Sequence, residues 1–185
     1  EATINAARNN TPAGEKFRSV VAVDPATTNN DGSDETGIVA ASAYRHGKIY
    51  NYSVDGDYSG QYSPKGWADK AISAYRTHNA DAIVIETNQG GDMVEDTLRN
   101  AGYHGKVIRV HASKGKYARA EPISALYEQG LVTHTGGFYE LENQMMEYVP
   151  ATAKSSPDRL DAMVWALTSL SEDVPAGLML PGRLR

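Results

Sequence analysis

The sequence predicts a mixed α/β domain, a three-strand antiparallel meander extended by parallel strands, with helices packed on the sheet. Three observations predict it. Strand patterns come first and are joined by polar turns. Strands then alternate with amphipathic helices. Two strands, at 18–24 and 82–86, are short apolar runs that each end on a carboxylate, which is where ligands gather at the carboxyl ends of parallel strands. A chain of 185 residues suits one such domain with a sizeable core.

Residues 1–17 are polar, lack apolar periodicity and contain the loop-forming run Asn9-Asn10-Thr11-Pro12-Ala13-Gly14. They are expected to be a linker or tail. The chain opens on Glu1 rather than Met and is expected to be a piece of something longer. Val20-Val21-Ala22-Val23 forms the first buried strand, stopped by Asp24 and Pro25. A long polar loop follows at 27–34. Thr36 to Tyr44 reads as a second strand, His46-Gly47 as a turn, and Lys48 to Val54 alternates as a third strand. After a Gly-, Ser- and Tyr-rich loop, Ser63-Pro64 starts a helix with Trp67, Ala71, Ile72 and Tyr75 on its apolar face. Ala82-Ile83-Val84-Ile85 is the next strand and ends on Glu86. A helix from about Gly91 to Ala101 stops at Gly102, and Lys106 to Val110 is a further strand. Lys116 to Gln129 is helical in pattern, 131–134 is a short extended piece, and Phe138 to Tyr148 is amphipathic. Ser156 and Pro157 cap a last helix with Leu160, Met163, Val164, Leu167 and Leu170 at helical spacing. Residues 173–185 read as a frayed tail, so the folded domain is expected over 18–172.

Composition narrows the chemistry. There are no cysteines, so a disulfide framework and a thiolate metal site are both excluded. No apolar run approaches the ~18 residues that a membrane span needs. The five histidines lack H-E-x-x-H spacing, and most read as surface or satisfied residues; His111, at the end of a strand, is the one to watch. Neither a phosphate-binding G-x-x-x-x-G-K-[ST] loop nor a G-x-S-x-G elbow is present. The net charge is −5, yet Thr97 to Ala120 contains no acid and carries Arg99, Lys106, Arg109, Lys114, Lys116 and Arg119. Such a window is expected to form a phosphate-facing edge.

The carboxylates suggest what that edge serves. An acid ending a buried strand needs compensation. Asp24 and Glu86 both end such strands, and Gly90-Gly91 lets the backbone turn past Glu86 into a helix. Asp92 reads as an ordinary acid of that helix's first turn. Asp158 and Asp161, at i and i+3, lie on one side of the last helix, with Asp161 beside its apolar stripe. Arg159 could pair with either of them or with a phosphate. Three or four acids without thiolates suit a hard cation, Mg²⁺ or Mn²⁺. Two such ions about 4 Å apart hydrolyse phosphodiesters, one activating water and the other stabilising the leaving 3′ oxygen.

Four motifs in order carry a family resemblance: the strand ending in Asp24; Glu86-Thr-Asn-Gln-Gly-Gly-Asp92; Lys114-Gly-Lys116-Tyr-Ala-Arg119-Ala-Glu-Pro122; and Pro157-Asp-Arg-Leu-Asp161-Ala-Met-Val-Trp-Ala-Leu167. Together they resemble the C-terminal nuclease domain of the large terminase subunit of tailed phages, over roughly residues 18 to 172. The resemblance implies a ribonuclease-H-like fold and a Mg²⁺- or Mn²⁺-dependent endonuclease, with two ions, that cuts concatemeric phage DNA during packaging. It implies that Asp24 bridges the metals, that Glu86 and Asp161 complete the site with Asp158 auxiliary, and that Lys114, Lys116 and Arg119 face the backbone of double-stranded DNA. It further implies a packaging ATPase domain in the same full-length protein, the portal and the small terminase subunit as partners, and the host cytoplasm as location. The alternatives are a branched-DNA resolvase or RNA–DNA hybrid nuclease of the same fold, and a docking module for DNA or a partner that never loads metal.

Overall fold

A ten-residue strand, β1 (Glu15–Asp24), lies near the middle of the sheet. It pairs antiparallel with β2 (Gly37–His46), which pairs antiparallel with β3 (Ile49–Asp57) across the turn at Gly47. On its other side β1 pairs parallel with β4 (Ala82–Glu86), and β4 with β5 (Lys106–Val110). A short strand, β6 (Val132–His134), runs parallel to β3 at the opposite edge, giving the order β5-β4-β1-β2-β3-β6. The structure, a computed structural model, describes residues 2–25, 35–86, 90–110, 116–148, 158–172 and 174.

The alternation of side chains along the strands sorts the core into two layers. Val21, Val23, Ile38, Ala40, Ile83 and Ile85 face one side, where they meet Trp67, Ala68, Ala71 and Ile72 of α2 (Pro64–Thr77) and Leu98 of α3 (Gly91–Asn100). Val20, Ala22, Val39, Ala41 and Val84 face the other. There they are covered chiefly by α6 (Asp158–Glu172), flanked by α4 (Lys116–Glu128) and α5 (Tyr139–Glu147). Every residue of α6 from Leu160 to Leu167 is buried, so this helix is a core element rather than a half-exposed one.

The expected strands and helices form, with shifts at their ends. Ser63 caps α2 as its sequence predicts, its Oγ accepting from the Gly66 N–H at 3.1 Å. β3 continues to Asp57, past the expected stop at Val54. A register shift between Ala40 and Ala41 bulges Asp55 out of the ladder and lets the strand carry on. Within the segment expected to be a linker or tail, residues 2–9 form a helix, α1 (Ala2–Asn9), with Ile4 and Ala7 buried. The 27–34 loop, the caps Ser156 and Pro157, His111 and, save for residue 174, the 173–185 tail lie outside the described residues. Among the described residues no helix is long and apolar enough to cross a membrane.

Candidate active site

On β1, Asp24 continues the face of Val20 and Ala22; on β4, Glu86 continues the face of Ala82 and Val84. Both faces look toward α6. The parallel register sets Val23 beside Ile85, so Asp24 and Glu86 are the next residues on adjacent strands. Neighbouring strands lie about 4.8 Å apart, which places the two acids side by side at the carboxyl ends.

The third element arrives through a glycine. Gly37 pairs with Asp24 from the β2 side. A Cβ at position 37 would stand 2.0 Å from the Asp158 carbonyl oxygen and 2.9 Å from the Ala162 Cβ. The first turn of α6 therefore rests directly on the backbone of β2, one strand from Asp24. Asp158 opens that turn. Asp161, next to Ala162, is only 6% exposed, whereas Asp24, Glu86 and Asp158 are half-buried. The fold thus brings two strand ends and one helix start, all three acid-bearing, to one corner of the sheet. Among the described residues no three carboxylate or imidazole groups already form a set that could hold a metal ion. The corner is defined by backbone register and not by a preformed cage. Its donors are all carboxylate oxygens, which fit a hard divalent cation.

Arg159 pairs with acids far from it in sequence. Its Nε and Nη2 donate to Glu35 at 2.9 and 3.1 Å, and its Nη1 donates to Asp57 at 2.8 Å. Burial alone would favour loss of its charge, but the hydrogen bonds to Glu35 and Asp57 outweigh that and push its pKa further up. Sequence reasoning missed Glu35 and Asp57, which stand 124 and 102 residues away from Arg159.

A second polar cluster joins five elements on the same face of the sheet. Arg8 of α1 donates from Nε to Glu142 of α5 at 2.9 Å, and Glu142 meets His134 Nδ1 of β6 at 2.7 Å. His134 Nε2 lies 2.7 Å from the Tyr127 hydroxyl of α4, which is itself 3.2 Å from Met163 Sδ of α6. Both Glu142 and His134 are buried, so His134 is one of the satisfied histidines.

The basic window is acid-free in sequence but not in space. Arg109 pairs with Asp92 and Glu95, each at 2.7 Å, and Arg99 with Glu95 at 3.1 Å. The hydrogen bonds from Arg109 and Arg99 hold the Glu95 carboxyl below its ordinary range. The acids come from α3, and through these ion pairs the helix faces this window. The expected phosphate-facing edge therefore loses Arg99 and Arg109. Asp92 sits in the first turn of α3, as expected. Lys114 and the side chains of Lys116 and Arg119 lie outside the described residues.

Comparison with known proteins accords with this architecture. The family model of terminase RNaseH-like domains matches residues 21–170. The nuclease domain of the large terminase subunit gp2 of bacterial virus Sf6 superposes with a TM-score of 0.58 at 15% identity, covering 97% of each chain. A mutant of that domain with manganese and beta-thujaplicinol gives 0.57 at 14% identity, again covering 97% of each chain. The large terminase nuclease from thermophilic phage G20c with bound zinc gives 0.55 at 10% identity, over 91% of this chain and 98% of that one. At these identities the likeness shows the fold. No curated protein matches.

Proposed function

Since the chain belongs to the family of terminase RNaseH-like domains, we propose that it is a divalent-metal-dependent DNA endonuclease that cuts concatemeric viral DNA during genome packaging. The observation that carries this reading is the corner where Asp24, Glu86 and the first turn of α6 meet. Related nuclease domains with manganese or zinc support a divalent ion there.

In this reading residues 18–172 are the nuclease unit. Asp24, between the other two elements, would be the central carboxylate holding the Mg²⁺ or Mn²⁺. Glu86 and Asp161 flank it from the neighbouring strand and the helix, and Asp158 assists. When bound, the ions supply an activated water and stabilise the leaving 3′ oxygen. The protein's own task is to bring four carboxylates together at the carboxyl ends of the central strands and to guide the duplex there. Lys114, Lys116 and Arg119 would carry the phosphate contacts. The packaging ATPase domain of the full-length protein, the portal and the small subunit would be its partners in the host cytoplasm.

Supercoiled plasmid with Mn²⁺ tests the reading. The protein is expected to nick and linearise it, and Asp24→Asn and Asp161→Asn are each expected to lower the rate by more than about 100-fold while remaining folded. Cutting by both variants at the parent rate would refute the assignment. Faster cutting of a four-way junction or an RNA–DNA hybrid than of duplex would move the substrate class to a resolvase or hybrid nuclease.

A further inference from the structure

We infer that Arg159 is a positioning residue for this corner, clamping the first turn of α6 onto β2 so that Asp158 and Asp161 face Asp24. The inference rests on the nuclease reading above and adds a residue to it. Gly37 supplies the space for close approach; Arg159 supplies what holds the approach. Its guanidinium spans the start of β2. Glu35 lies two residues before Gly37, and Asp57 closes β3 opposite Val39 of β2. One side chain therefore ties the helix start, the entry to β2 and the exit of β3 together.

Three features separate this role from contact with DNA phosphate. The Arg159 side chain is only 11% exposed. Three of its five N–H donors are already committed to carboxylates. The Asp57 side chain is buried too, at 4% exposure, and its other oxygen accepts from the Ser59 N–H at 3.0 Å, so the pairing is fixed on both sides. The clamp has a second effect. It occupies Glu35 and Asp57, two carboxylates near the corner that would otherwise compete for a cation. A fork that reaches two acids at once is a property of arginine that lysine lacks.

The test compares the parent, Arg159→Lys, and the charge-free triple variant Arg159→Gln/Glu35→Gln/Asp57→Asn. Amide exchange of Ala162 to Val164 is followed in metal-free protein, and Mn²⁺ binding by calorimetry. Arg159→Lys is expected to speed exchange of these amides about tenfold and to weaken Mn²⁺ binding about tenfold. The triple variant removes the mispaired charges; it should regain the parent melting temperature yet bind Mn²⁺ as weakly as Arg159→Lys. Parent-like exchange and affinity in Arg159→Lys, or parent-like affinity in the triple variant, would overturn the inference. If the parent takes up no Mn²⁺, the nuclease reading falls, and the exchange of the α6 amides alone decides whether Arg159 holds the turn.

Discussion

At position 37 the whole side chain is a hydrogen atom, and the corner depends on it. The carbonyl of Asp158 occupies the space a methyl group would need. Gly37→Ala must lift α6 or bend β2, an overpacking that costs about 1–3 kcal/mol. For a chain of this size that lowers the melting temperature by about 3–10 °C. Cleavage should fall much further than stability, because the displaced turn carries Asp161. Gly47→Ala is the control. Its Cβ meets nothing within 4 Å, so it is strained only by its φ of +59°. It should melt earlier but cut plasmid normally. Asp24, Glu86 and Asp161 could be picked out of the sequence as candidates because each interrupts or borders an apolar pattern. Gly37 was not, since a glycine opening a strand looks the same whether or not a helix rests on it. The Arg159 partners were illegible for another reason: ion pairs across more than a hundred residues leave no local pattern.

Among the elements, α1 departs furthest from expectation. Two buried residues in eight, Ile4 and Ala7, are too few to register as a helical stripe, so the segment reads as a linker or tail. What docks it is tertiary: Arg8 against the buried Glu142. Burial opposes ionisation of Glu142, but hydrogen bonds from Arg8 and His134 prevail and hold its pKa below the ordinary value. Burial likewise dominates at His134 and holds its pKa down despite Glu142. Both shifts have the same consequence. The unfolded chain takes up protons at higher pH than the folded one, so stability is lost on acidification. The His134 contribution is complete above about pH 6.5 and declines as pH falls toward its lowered folded value; the Glu142 contribution declines below about pH 4.3. Melting temperatures followed from about pH 8 down to about pH 2.5 should trace this fall, and Glu142→Gln should flatten the part below about pH 4.3. Tyr127→Phe, which leaves His134 Nε2 without its hydroxyl partner, should cost about 1–2 kcal/mol, read from chemical denaturation. The remaining helices and strands were legible because a hydrophobic period marks them, with the Ser63 cap adding to it at α2. β3 overran its expected end because a bulge, which depends on its partner strand, cannot be read from one strand alone.

For the molecule as a whole, an acidic protein with net charge −5 must still approach a polyanion. The α3 acids neutralise part of the basic window, leaving Lys114, Lys116 and Arg119 as the proposed contacts. Removing those three together should reduce the salt dependence of duplex binding by about 2–3 in log–log slope, measured in an Asp24→Asn background that does not cut. Arg109→Gln should leave the slope unchanged, because Arg109 already serves Asp92 and Glu95. The fold was legible at this scale from the order of strands and helices, and the corner from its acids; that α6 is the element uniting them became visible only with the register. The most direct measurement is anomalous scattering from a crystal soaked in Mn²⁺. One or two Mn²⁺ peaks are expected within about 2.0–2.3 Å of carboxylate oxygens of Asp24, Glu86 and Asp161. Mn²⁺ bound elsewhere, with this corner empty at a concentration that supports cleavage, would contradict the assignment.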